Sequence, residues 1–487
     1  MTRRAHHPAR VAGLLMAVAL VQQAATQSLP PPRRGGAGGP RTGTFRTAVP
    51  DHPVDVILAR PTADSVTLSV LFYRDRRASV FCAPEGGPLS LCASEAVFRS
   101  GQPAAVVLRS LKPDTRYAYE VRAADDQGSA APTASSGAFR TQRAPGRPFT
   151  FTVTADSHLD ERTDPATYAR TLRAAAGDDP DFHLDLGDTF MTDKHPDRQS
   201  AARQYLAQRY YLGLVAQSAP LFLALGNHDG EGGNRGGGEP PGPWALEMRT
   251  RLFPNPVPDA FYTGNASRGS GGRLLEDYYA WRWGDALLIV LDPFWYSIRP
   301  GGDDGWGWTL GPEQYRWLAR TLESSHARFI YVFIHHLVGG DRQARGGAEA
   351  SRFFEWGGDN HDGSPGFAAR RKEWPLPVHD LLVKHRVAAV FHGHDHLYAR
   401  QDRGGIVYLA VPQPGHSRGG SAKSAQDYGY ASGTILGATG YLRVRVTPER
   451  SSVELVDAPA AGPVGWVADR LSLVPRTGAG AKGHSIP

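Results

Sequence analysis

The sequence predicts an α/β domain preceded by a small all-β sandwich. Two observations carry this reading. Between residues 54 and 141 there are short strand-like runs broken by turn-formers, without a helical period. From Phe149 onward, apolar strand-like runs alternate with helical stretches. At 487 residues the chain exceeds one ordinary domain, so two folded units with flexible ends are expected. Hydrophobic residues at 41% suffice for sizeable cores, so the 56 Gly and 38 Pro mark linkers and long loops in a folded protein.

Residues 1–26 have the parts of a secretory signal peptide: Arg3, Arg4 and Arg10, an uncharged apolar run at 11–21, and small residues at Ala24 and Ala25. The run is short for a membrane span, so export to a secreted or periplasmic location is expected without a stable membrane anchor; an uncleaved anchor is the alternative. A Pro/Gly-rich linker fills 27–48. The net charge of +6 is carried largely by Arg3, Arg4, Arg10, Arg33, Arg34 and Arg41, ahead of the first domain. The folded part is therefore nearer neutral, which argues against nucleic acid as an obligate partner.

The all-β unit spans 49–143, with strands expected at 54–58, 65–72, 104–108, 117–123 and 138–141. Cys82 and Cys92, the only cysteines, read as a local disulfide or as two buried thiols; two thiolates cannot complete a zinc shell. The α/β domain spans 149–458. Strands are expected at 149–154, 182–186, 221–225, 286–291, 329–334, 387–391, 406–411, 441–446 and 453–456. Helices are expected at 165–176, 201–216, 312–323 and 378–385, the first capped by Asp164 and begun by Pro165. Residues 459–487 read as a Gly- and Pro-rich surface tail.

Five polar clusters fall where predicted strands end, the edge at which open α/β sheets gather ligands. They are Asp156-Ser157-His158, Gly187-Asp188, Gly226-Asn227-His228-Asp229, His335-His336 and Gly393-His394-Asp395-His396. Carboxylates, imidazoles and one amide oxygen, without thiolate, suit divalent metals such as Zn, Mn or Fe. A two-metal site needs one bridging carboxylate, for which Asp188 is the candidate. Paired cations neutralise a phosphate ester and generate hydroxide to attack phosphorus.

In this order, Asp-x-His, Gly-Asp, Gly-Asn-His-Asp, a strand-end His and Gly-His-x-His resemble the signature of calcineurin-like metallophosphoesterases, over residues 149–456. The sandwich and the wording GHDHLYAR at 393–400 resemble the purple acid phosphatase subgroup, whose N-terminal domain is fibronectin type III-like. The stretch from Leu111 to Tyr117, followed by Tyr119 and Val121, is similar to the tyrosine-bearing corner of that sandwich. The resemblance implies two packed sheets flanked by helices. It also implies a metal site of Asp156, His158, Asp188 and His396, and a second of Asp188, Asn227, His335 and His394. His228 would contact phosphate or protonate the leaving group, oriented by Asp229; Asn227 and His336 join it as substrate-binding candidates, and His336 and His392 are equally well structural imidazoles. The chain departs from the subgroup at His158, where those enzymes have Gly, and at Met191, where they have a metal-binding Tyr. That departure puts a ferric ion in doubt and favours two ordinary divalent ions.

Loops at 230–242 and 339–374 border the expected site. The second offers Arg342, Arg345, Glu349, Arg352, Glu355, Trp356 and His361 as possible substrate contacts, or is a solvated surface loop. Asn265-Ala266-Ser267 fits a glycosylation acceptor pattern. Hydrolysis of small-molecule phosphomonoesters is the leading expectation. A phosphodiesterase or nucleotidase on the same metals is the alternative, and a non-catalytic metal-binding or adhesion protein is the weakest, since it predicts a lost ligand.

Overall fold

The computed structural model describes residues 44–124, 133–231, 242–297, 305–459, 462 and 464–476. The expected signal peptide, most of the 27–48 linker, residues 232–241 of the first long loop and the last part of the C-terminal tail lie outside the described residues. Among the described residues no helix is long and apolar enough to cross a membrane.

The N-terminal strands are β1 (Val54–Ala59), β2 (Val66–Phe72), β3 (Arg76–Pro84), β4 (Ser90–Phe98), β5 (Ala104–Leu108), β6 (Arg116–Ala124) and β7 (Thr133–Arg140). They form a three-stranded sheet, β1-β2-β5, and a four-stranded sheet, β4-β3-β6-β7. Alternation on β6 turns Tyr117, Tyr119, Val121 and Ala123 inward against Leu68, Val70 and Phe139. The Tyr117 hydroxyl accepts the Lys112 backbone N–H at 2.8 Å and pins the corner before β6. Cys82 and Cys92 are joined in a disulfide that clips β3 to β4. The sequence expectation lacked both β3, which opens on Arg76 and Arg77, and β4, an edge strand that leaves most of its side chains exposed and so has no apolar alternation.

The rest of the chain begins with β8 (Phe149–Thr154), α1 (Pro165–Gly177), β9 (Phe182–Asp185), α2 (Arg198–Ala216), β10 (Leu221–Leu223), α3 (Gly242–Leu252), β11 (Thr263–Gly264), β12 (Tyr279–Trp283), β13 (Ala286–Val290), α4 (Gly311–Glu323) and β14 (Phe329–Ile334). Two single-turn helices, α5 (Phe354–Gly357) and α6 (Phe367–Arg370), lie within the 339–374 insertion. Then come α7 (Val378–Lys384), β15 (Ala389–His392), β16 (Tyr398–Arg403), β17 (Ile406–Ala410), β18 (Thr434–Leu436), β19 (Gly440–Val446), β20 (Ser451–Asp457) and β21 (Trp466–Leu473). Asp164 caps α1 as expected, accepting the Thr167 N–H.

Two sheets result, ordered β10-β9-β8-β19-β20-β21 and β11-β12-β13-β14-β15-β17-β16-β18. Their inner faces share an aromatic core in which Phe151, Phe182, Phe222, Trp281, Tyr331, Phe333 and Phe391 are all buried. Phe222 stacks on Trp281 at 4.1 Å. Helices α1, α2 and α3 cover one outer face through Leu172, Leu212 and Met248. Helices α4 and α7 cover the other through Leu318, Leu322 and Leu382. Strand β21 falls inside the stretch read as a tail. It was hidden because its pairing with β20 is supported by charge, as in the 2.6 Å pair of Arg470 with Glu454, and not by an apolar run.

The sandwich is mounted on α2. Ile57 and Leu71 join the apolar cluster beneath that helix. Arg209, fully buried on α2, donates to the Ser69 carbonyl at 2.6 Å and the Ser69 hydroxyl at 3.1 Å, and bonds the Leu252 carbonyl. Arg60 pairs with Glu276 at 2.9 Å, and the Tyr119 hydroxyl donates to the Gln217 carbonyl at 2.8 Å. Arg209→Met strands carbonyls on both sides of this junction, and hydrogen bonds to charged donors contribute roughly 1.5–3 kcal/mol each. The variant is expected to lose about 3 kcal/mol in denaturant unfolding; an unchanged midpoint would show that the junction does not depend on this side chain.

Candidate metal centre

Each cluster lies on the loop after a strand: Asp156 and His158 after β8, Asp188 after β9, Asn227 after β10, His335 after β14, and His394 and His396 after β15. Strands β8, β9 and β10 run parallel in one sheet, and β14 and β15 in the other, so these loops open at one end of the stack. Bringing the second and third loops together requires glycine. A Cβ on Gly187, whose φ is +93°, would lie 2.3 Å from the Gly226 nitrogen, and one on Gly226 would lie 2.0 Å from the Asp188 nitrogen.

Six of the seven expected ligands form two groups, Asp156 with His158 and His396, and Asp188 with His335 and His394; within each, the candidate atoms lie within 4.8 Å of one another. The groups adjoin. His158 Nε2 is 3.7 Å from Asp156 Oδ1 and 3.6 Å from Asp188 Oδ2, while His335 Nε2 is 3.5 Å from Asp188 Oδ2 and 3.9 Å from Asp156 Oδ1. His396 Nε2 is 3.4 Å from Asp156 Oδ1, and His335 Nε2 is 3.2 Å from His394 Nδ1. Asn227 is buried between Gly226 and His228, and the His228 N–H donates to Asp188 Oδ1 at 2.8 Å.

These residues fit divalent cations. His158 Nδ1 faces Asp160 Oδ2 at 3.5 Å, while Asp156 Oδ1 and His158 Nε2 are buried without a hydrogen-bond partner, which is costly unless a ligand meets them. Their separations are too long for hydrogen bonds but suit atoms that each lie about 2.0–2.2 Å from a shared ion. His335 Nδ1 must be protonated to donate to the Leu186 carbonyl at 2.8 Å, which turns the Nε2 lone pair toward Asp188 and His394. Burial alone would push the Asp156 and Asp188 carboxyls up, yet the surrounding imidazoles hold both well below the usual carboxylate range. Burial also pushes His394 and His396 down. His335 differs: Asp188 outweighs its burial and draws it up to about 9, a proton that a cation would displace. Asp156, His158, Asp188, His394 and His396 all have φ between 48° and 72°, left-handed conformations that need external support outside glycine.

The other expected site residues divide. His228 lies at the mouth, 20% exposed, but the carboxylate against it is Asp193, 3.0 Å from Nδ1. Asp229 corrects the expected orienting role. Its carboxylate accepts the backbone N–H groups of Asp188, Thr189, Phe190 and Gly226, so it ties the Asp188 loop to the Asn227 loop. Sequence reading missed Asp193, which sits on a short turn with no motif of its own. His336 is enclosed by Phe294 and Trp308, at ring distances of 4.9 and 4.8 Å, and burial pushes it down to about 3. His392 is buried, with Nδ1 bonded to the Gly393 carbonyl at 3.3 Å. In the insertion, Glu355 is buried against Arg371 at 2.6 Å, Trp356 bonds the Tyr408 hydroxyl at 3.0 Å and Arg352 pairs with Asp359 at 2.9 Å. These three side chains fold the insertion itself.

Adding Zn²⁺ or Mn²⁺ to the metal-free chain is expected to raise its thermal midpoint, by about 2.7 kcal/mol of stabilisation at a hundredfold excess over Kd. Asp156→Ala should abolish most of that increment; a midpoint indifferent to metal in the parent chain would contradict the cation fit.

The family profile described as calcineurin-like phosphoesterase matches residues 149–398. No curated protein matches the chain in sequence. Among solved structures, the purple acid phosphatase PPD1 isolated from yellow lupin (Lupinus luteus) seeds aligns at a TM-score of 0.59 and 14% identity, covering 87% of this chain and 74% of that one. PhoD aligns at a TM-score of 0.61 and 14% identity, covering 87% of this chain and 91% of that one. At such identity these likenesses establish the fold. The profile match, over half the chain and enclosing the strand-end clusters through His396, establishes more: the chain belongs to the calcineurin-like phosphoesterase family and is a metal-dependent phosphoesterase.

Proposed function

We propose that this chain hydrolyses small-molecule phosphomonoesters at the centre described above. Asp156, His158, Asp188 and His396 would hold one divalent ion, and Asp188, Asn227, His335 and His394 the other. The observation that carries the reading is the convergence of Asp156 and Asp188 with three imidazoles, at 3.4–3.9 Å, and of His394 with His335 at 3.2 Å, around buried atoms that lack hydrogen bonds. Two Zn, Mn or Fe(II) ions bound there supply charge to neutralise the phosphate and to lower the pKa of the attacking water.

The chain's own groups do the rest. The left-handed turns at Asp156 and Asp188 place both buried carboxylates against the imidazoles of His158 and His335. His228 donates its Nδ1–H to Asp193, which leaves Nε2 as the atom to face substrate. As water attacks phosphorus and the ester P–O bond breaks, the leaving oxygen takes the Nε2 proton of His228, and the proton lost by the attacking water passes to solvent, from which Nε2 is reprotonated. Asp193 fixes the orientation of the ring during the transfer. Met191, buried beside the Asp188 loop, offers no phenolate, in keeping with divalent ions and a colourless protein.

The N-terminal sandwich is a fibronectin type III-like mount, supported by its three-plus-four strand arrangement and the Tyr117 corner. Residues 1–26 direct export, a reading consistent with the Cys82–Cys92 disulfide, which suits an oxidising compartment.

Metal analysis joined to a panel of monoesters, diesters and nucleotides tests the function. The parent should hold about two metals and turn over monoesters fastest; Asp188→Asn should lose activity by roughly a hundredfold or more. Asp193→Asn should keep its metals and lose kcat by about tenfold or more, most for substrates with poor leaving groups. Faster diester or nucleotide turnover would replace the monoesterase reading, and full activity in Asp188→Asn would remove the bridging role.

A further inference from the structure

Asp395 is the one carboxylate of Gly393-His394-Asp395-His396. It lies between two of the proposed ligands, yet its carboxylate contacts neither imidazole. Its side chain is buried and receives three donors from two distant loops. Oδ2 accepts the Gly346 N–H at 2.8 Å and the Tyr430 hydroxyl at 2.7 Å, and Oδ1 is 3.3 Å from the Arg345 guanidinium. Arg345 also bonds the His394 carbonyl, and its guanidinium lies over the Tyr428 ring at 5.0 Å.

The two loops are tied to each other behind this contact. Glu349 accepts the Ala431 N–H at 3.0 Å, and Gln401 bonds Glu349 at 2.5 Å and the Ser432 carbonyl at 3.1 Å. The 339–374 insertion and the 428–432 segment therefore close on one carboxylate.

Burying an ion pair is a poor way to gain stability, because desolvation offsets the attraction. What the arrangement does supply is position. His394 and His396 are non-glycine residues at φ 72° and 58°, and a strained turn of this kind persists only where its surroundings over-determine it. From the front, the His394 N–H is held by Asp156 Oδ2 at 2.8 Å. From behind, the Asp395 carboxylate and the His394 carbonyl are held by Arg345, Gly346 and Tyr430.

We infer that Asp395, Arg345 and Tyr430 form a brace that holds the His394–His396 turn in its ligating geometry, and that the 339–374 insertion is there to supply it. The inference rests on the proposed metal centre. It makes Asp395 a positioning residue whose effect is on metal retention, with no contact to substrate.

The test uses the full chain loaded with Zn²⁺ and challenged with a chromogenic chelator. Asp395→Asn, Arg345→Met and Tyr430→Phe should each release zinc more readily, with apparent affinity reduced by about tenfold to a hundredfold for Asp395→Asn. The double variant Asp395→Asn/Arg345→Met should lose less than the sum of the two single losses, since both share the Asp395–Arg345 contact. At saturating metal, KM should match the parent. Melting of the metal-free Tyr430→Phe variant, which leaves the Asp395–Arg345 pair intact, should stay close to that of the metal-free parent, which separates positioning from general stabilisation. Parent-like zinc retention in Asp395→Asn and Tyr430→Phe overturns the brace alone. A large fall in metal-free stability with unchanged zinc affinity likewise overturns it, in favour of a structural role. A parent that takes up no metal overturns the proposed function and the brace with it.

Discussion

The organising constraint in this molecule is the burial of two carboxylates, Asp156 and Asp188, within 4 Å of the buried imidazoles of His158 and His335 and the half-buried one of His396. Neither carboxylate could stay ionised in so dry a place without compensating positive charge. The imidazoles answer part of that demand, and bound cations would answer the rest. The backbone concedes much to reach this geometry: left-handed turns at five site residues, and a contact between two loops that leaves no room for a Cβ at Gly187 or Gly226.

Such loops hold their shape because their roots do not move. The aromatic layer between the sheets fixes the strands that end at the site, with Phe151 on β8 packed among Phe182, Phe333 and Phe391. A polar layer continues the support toward the metal loops. Asp229 collects four backbone N–H groups, and Gln208 on α2 bonds both Ser157 and the Thr189 carbonyl. Because α2 also carries Arg209, the same helix supports the Asp156 and Asp188 loops on one side and the sandwich on the other. The sandwich thus reaches the site through a shared helix, not through contact with it.

Much of this was legible in the sequence, and the reason is physical. Strands of the central sheets are short apolar runs, and the candidate ligands follow them directly, so a run such as FIYVFI followed by His335 carries both signals in adjacent residues. Elements stabilised by charge or left on an edge were not legible, as with β4 and β21. Partner choice was not legible either. Nothing local distinguishes Asp193 from Asp229 as the carboxylate beside His228, or shows that Arg345 reaches back to Asp395. The acceptor-like Asn265-Ala266-Ser267 shows the same limit from the other side. In the fold, Asn265 is buried, with its amide donating to both oxygens of Asp277 at 2.9 and 3.1 Å. A pattern of three residues cannot report burial.

The central claim is that one pocket holds two cations through nitrogen and oxygen ligands alone. X-ray absorption on the zinc-loaded chain addresses it directly. The account predicts a first shell of light atoms at about 2.0–2.2 Å and a metal–metal vector at about 3.5–4 Å. A spectrum with no metal–metal vector at full occupancy, or with a sulfur shell, would contradict it.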